Sequence, residues 1–117
     1  MKSMNYYTLL VFAPLLVVTG VAGFLLPETL MSGAPAYNIF HILFGAFGLI
    51  LVYFKKDPPI RGFNISFGLI DLYQAAASFL HLYPENLFRW RTGDDVLHIV
   101  IGAALVLIGL TRRERAV

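Results

Sequence analysis

At 117 residues, with 58% hydrophobic and 14% charged side chains, the chain has room for one domain and lies far from the balance of a soluble protein. Its net charge of +2 does not mark a nucleic-acid binder, because the basic residues stand in short clusters beside apolar runs and not along one face. With no cysteine, a disulfide framework, a thiolate metal site and a cysteine nucleophile are excluded, so any metal or cofactor has to use His, carboxylate or Met.

Four stretches are apolar and long enough to cross a hydrocarbon core, which takes roughly 20 helical residues. They are predicted at about 6–26, 38–54, 63–83 and 95–111. The first has the outline of a signal peptide, Met-Lys before an apolar run with small residues near Ala22. It is read instead as a retained span, because it pairs with the third stretch in the repeat described below. Pro14 is expected to bend it, and Pro27 and Pro84 to close helices one and three. Tyr6, Tyr7, Tyr37, Tyr53, Tyr83 and Trp90 fall near the predicted membrane-water interfaces, where an amphipathic ring is satisfied at both ends. In the connecting segments Lys2, Lys55, Lys56, Arg61, Arg112, Arg113 and Arg115 lie on one side, Arg89 and Arg91 on the other. This asymmetry places both termini in the cytoplasm of a multi-pass protein.

A repeat runs through these elements. His41-Ile42-x-x-Gly45-Ala46 recurs 57 positions later as His98-Ile99-x-x-Gly102-Ala103, and the same offset superposes Pro27-Glu28-x-Leu30 on Pro84-Glu85-x-Leu87 and Lys55-Lys56-Asp57 on Arg112-Arg113-Glu114. The chain therefore reads as an all-α integral membrane four-helix bundle, a single domain built from a tandemly duplicated two-helix hairpin, residues 3–60 and 60–117. Parallel repeats of this kind share one orientation, unlike the inverted repeats of alternating-access transporters.

Three sets of residues stand out. His41, Gly45 and Gly48, with Asn38 at the edge, share a narrow arc of helix two, and Asp95, His98, Gly102 and Gly109 repeat it on helix four. Small residues at that spacing let helices pack closely in lipid, so each imidazole is directed into a helix contact. His81 stands at similar depth to His41 and His98, and the three could bind a metal through imidazole nitrogens, or His41 and His98 a tetrapyrrole. No HExxH, CxxCH or carboxylate-His pair at ligand spacing accompanies them, so packing is preferred. On helix three Asn64, Asp71, Gln74, Ser78 and His81 form a polar stripe, with Asp71 near the bilayer midplane, where an ionised carboxylate costs about 3 kcal/mol or more. Asp71 is expected to face the bundle interior, neutral or hydrogen-bonded, and to serve packing and not a proton path. In the outer loop, Phe88-Arg89-Trp90-Arg91 reads as an interfacial anchor and Asp94-Asp95 as a helix cap.

Asn38-x-x-His41-x-x-x-Gly45 followed by Gly48-Leu49, together with Asp94-Asp95-x-Leu97-His98-x-x-x-Gly102 followed by Gly109 and the Gly-rich start of helix three, resembles a bacterial family of small four-helix membrane proteins known only as a domain of unknown function. The resemblance covers most of residues 6–111 and implies a bacterial cytoplasmic membrane, while implying no activity. No Ser-His-Asp, paired-carboxylate or phosphate-cradling set can be assembled from the loops, so no catalysis is expected. The expected function is that of a non-catalytic accessory or assembly subunit, associating with the bilayer and with other membrane subunits or itself. The competing expectation is a cofactor-binding protein using His41 and His98.

Overall fold

In the computed structural model, which describes residues 3–28 and 31–111, each long helix starts where the sequence supplies a device for its free backbone N–H groups. The Ser3 hydroxyl accepts from Tyr6 N at 3.1 Å and opens α1, Met4–Leu25. Pro35 occupies the first turn of α2, Pro35–Phe54, and Pro58 and Pro59 that of α3, Asp57–Leu80, where a missing N–H costs nothing. A single turn, α4, Glu85–Phe88, precedes α5, Thr92–Leu110, which is capped by the Asp94 side chain. Among the described residues there is no strand.

The helices match the expected spans with two informative differences. The third begins at Asp57 and not near 63, because its prolines fall in the first turn, where a helix tolerates them. It ends at Leu80, and His81 caps it in the left-handed region at φ 58°. Pro14 lies inside α1 without ending it. Three helices, α1, α2 and α5, are long and apolar enough to cross a membrane. The fourth expected span, α3, has the length at 24 residues, but Asn64, Asp71 and Gln74 dilute its apolar character. The C-terminal basic cluster from Arg112, Lys2, and the Leu30 match lie outside the described residues.

Packing is closest within two antiparallel pairs, α1 with α2 and α3 with α5. Their backbones approach through glycine. A Cβ at Gly45 would lie 2.8 Å from Ala13 O and from Val17 N, and one at Gly68 would lie 2.8 Å from Gly102 O and 2.9 Å from Val106 N. Gly48 sits against Ala13, Gly20 against the Asn38 carbonyl and Gly109 against Ile65. Between the pairs runs a seam of rings: Phe63 and Phe67 are stacked at 5.5 Å, and Phe40 and Phe44 meet Phe67 at 5.8 and 5.2 Å. At one end the seam is closed by hydrogen bonds, Asn64 Nδ2 to Asn5 Oδ1 at 2.9 Å, Asn5 Nδ2 to Ile108 O at 3.3 Å and Ser3 Oγ to Asp57 Oδ1 at 2.6 Å. Arg61 Nε donates to Gly109 O at 2.6 Å, placing a cation at the C-terminal end of α5, where the helix dipole favours it.

The buried sets are regular. In α1 they are Asn5, Leu9, Ala13, Leu16 and Gly20, and in α2 Tyr37, Asn38, His41, Gly45, Gly48 and Val52. The outward faces of the helices carry exposed large apolar side chains such as Val11, Val18, Leu43, Ile50 and Leu107, a surface suited to lipid. Two residues expected at the interface are instead buried: Tyr37 is 1% exposed and Trp90 7%, because each polar tip finds its partner inside the protein.

Two glycines within one helix separate close approach from helix propensity. Gly68→Ala must force backbones apart and is expected to cost about 1–3 kcal/mol. Gly62 has nothing within 4 Å of its would-be Cβ, so Gly62→Ala should be neutral or stabilise by up to about 1 kcal/mol. Reversible unfolding in mixed micelles measures both.

Candidate functional site

One carboxylate joins the α1–α2 and α3–α5 connections to the helices. Asp94, fully buried in the first turn of α5, accepts through Oδ2 from Ser32 N at 2.7 Å and Arg91 N at 2.9 Å, and through Oδ1 from the Tyr37 hydroxyl at 3.0 Å. Ser32 Oγ in turn donates to the Phe88 carbonyl, and Arg91 Nε reaches Glu28 Oε2 at 3.1 Å. The same Tyr37 hydroxyl lies 2.7 Å from His98 Nε2. With its single proton given to Asp94, the phenol accepts from the Nε2–H of His98, so His98 Nδ1 is left as a lone pair, buried and without a partner.

His41 lies one turn after Tyr37 and packs its ring on it at 4.3 Å. It is 6% exposed and makes no hydrogen bond among the described residues, where its Nδ1 is sealed and unpartnered. Asp71, 3% exposed, accepts through Oδ1 from Gln74 Nε2 at 3.3 Å, and Gln74 Oε1 accepts from Trp90 Nε1 at 2.9 Å. The loop tryptophan thus folds back to hold the amide that holds the acid. Asn64 is fully buried and bonded to Asn5, whereas Ser78 is only half-buried.

Between α1 and α5, which scarcely touch, a cleft brings these groups together. Its outer chamber, about 350 Å³, extends from Glu28 and Ser32 to Tyr37 and His41. Its inner chamber, about 190 Å³, is lined by Phe12, Phe67, His41, His98 and Asp71. Thr19, Met31, Tyr37, His41 and Leu97 border both.

The three histidines do not come together. His81 sits on the αL turn after α3, exposed, with Nδ1 3.3 Å from Glu85 Oε1, because the helix stops one residue before it and the chain turns away from the bundle. Among the described residues no group of three His or carboxylates is arranged to hold a metal. Asn38, at the edge of the histidine arc, donates to Gly33 O at 3.0 Å, and Asp95 leaves Oδ1 unpartnered among the described residues while Asp94 carries the contacts. Sequence reasoning placed Asp94 only as a cap and Tyr37 only at the interface. A signal for their union was present, since each stands four residues before one of the repeated histidines.

No protein-family model, no curated protein and no solved structure matches the chain.

Asp94→Ala removes three hydrogen bonds, one of them the helix cap, and is expected to lower stability by about 2 kcal/mol or more. Asp95→Ala should cost less than half as much. Because Tyr37 and Asp94 share a bond, Tyr37→Phe combined with Asp94→Ala should cost less than the two changes added, which a double-mutant cycle measures.

Proposed function

We propose that the chain is a four-helix membrane bundle built by tandem duplication of a hairpin, acting as a non-catalytic accessory or assembly subunit in a bacterial cytoplasmic membrane, with both termini cytoplasmic. The burial pattern supports the duplication. Moving 55 residues along the chain takes the buried face of α1, Asn5, Leu9, Ala13, Leu16 and Gly20, onto Ile60, Asn64, Gly68, Asp71 and Ala75, all buried. Moving 57 takes Tyr37, His41, Gly45, Gly48 and Val52 of α2 onto Asp94, His98, Gly102, Leu105 and Gly109, again all buried. The ungapped offset of 57 thus suits the second helix of each hairpin, while the first has slipped by two residues, a difference taken up by the longer outer loop that contains α4. Tyr37 and Asp94 are equivalent positions in touch with each other, as expected of residues beside a twofold axis along the membrane normal.

The observation that carries the function is where the polar groups are used. Asn5, Asn64, Tyr37, Asp94, His98, Gln74 and Trp90 bond across helices or from loop to helix, while the outer faces are apolar. Polar residues spent in this way fix a bundle for assembly in the membrane. A tetrapyrrole held axially by both His41 and His98 is less well supported, because Nε2 of His98 is engaged by Tyr37 at 2.7 Å.

Extracted in native-lipid discs, the protein should have a mass above that of one chain, alone or with other subunits, and no stoichiometric visible absorption band. A monomer at all concentrations would overturn the assembly role, and a visible band lost in His41→Asn would favour the cofactor. For orientation, a Cys introduced at exposed Asn86 should react only with reagent outside the cell, and one at exposed Lys56 only from the cytoplasm; the reverse would invert the topology.

A further inference from the structure

The cleft between α1 and α5 holds an unusual combination of groups. Asp71 is buried and has no cationic partner among the described residues; Gln74 occupies one of its oxygens, and the other makes no hydrogen bond. His41, more than nine-tenths buried, also lines the cavity with nothing bonded to it. Neither chamber is lined by a Lys or an Arg, and the second carboxylate, Glu28 at the outer end, is already paired with Arg91.

Apart from Thr19, Ser32, Asn38 and His98, the remaining walls are apolar, with Phe12, Phe67, Tyr37, Leu16 and Ile101 among them, and the rim residues Leu15, Val18 and Leu97 are exposed on the lipid-facing side. An anion would meet an uncompensated carboxylate here. A bare metal ion would find no set of three ligands. An organic cation with apolar substituents would bury those substituents against the walls, lay its charge on the faces of the aromatic rings and supply the one thing Asp71 lacks.

We propose that this cleft binds a lipophilic organic cation, an ammonium with apolar substituents, using Asp71 as counter-ion and Tyr37, Phe12 and Phe67 as the rings that receive its charge. The site does not depend on the assembly role, since every group in it belongs to one chain.

Benzyltrimethylammonium is a suitable probe, and neopentylbenzene, in which carbon replaces the charged nitrogen, is its neutral counterpart of the same shape. Titrated into the whole protein in lipid discs, the cation should bind saturably and at least tenfold more tightly than the neutral compound. Asp71→Asn keeps an acceptor for Gln74, so near-ultraviolet circular dichroism of Trp90 should report a native fold while cation binding falls at least tenfold. Leu97→Trp fills the space common to both chambers and should abolish binding even if the Asp71 variant does not fold. Absence of saturable binding, equal affinity for the neutral compound, unchanged binding by folded Asp71→Asn or unchanged binding by Leu97→Trp would each overturn the proposal.

Discussion

Helices that share an apolar solvent gain nothing from hiding apolar surface, so the approach of one backbone to another has to be stabilised by contact itself. In this chain that approach is set by glycine. Where Gly45 meets Ala13 and Val17, and Gly68 meets Gly102 and Val106, a single methyl group would fall inside the contact distance of backbone atoms. Everything finer depends on that distance. A phenol on α2 can bond a carboxylate and an imidazole on α5 only if both pairs are drawn tight enough to leave the seam narrow.

Two polar networks exploit this geometry. Asp94 draws Ser32, Arg91 and Tyr37 to one point, so both of the longer connections and two helices share an anchor. Trp90, Gln74 and Asp71 form the other, running from the α3–α5 connection into α3. Such groups are costly in apolar surroundings unless bonded, so Asp71, buried with one hydrogen bond from Gln74, exerts a strong demand for a partner.

Much of the fold was legible in the sequence. Apolar length located the long helices, and the matching His and Gly positions mark faces that are buried on both α2 and α5. The inward face of α1 was harder to see. In a run of Leu, Val and Phe periodicity barely separates neighbouring positions, and only burial distinguishes inward Leu16 from exposed Pro14. Of the candidate site, the stripe on α3 and the inward histidines could be read from helical periodicity, whereas the Tyr37–Asp94 bond joins residues 57 apart and required three dimensions. His81 was misjudged for a local reason: depth was counted along a helix that ends one residue too early to include it.

The bond from Asn64 to Asn5 also bears on how the protein reaches its membrane. Chains emerge amino-terminus first, so α1 and α2, both strongly apolar, can partition into lipid on their own before α3 is synthesised. The third helix, with Asn64, Asp71 and Gln74 along one side, is the poorest candidate for unaided entry. By then α1 has been made, and its Asn5 has a backbone carbonyl and a side-chain amide to offer. The strongly apolar pair of helices thus precedes the polar one along the chain, and the helix that most needs a partner is synthesised after the one that supplies it.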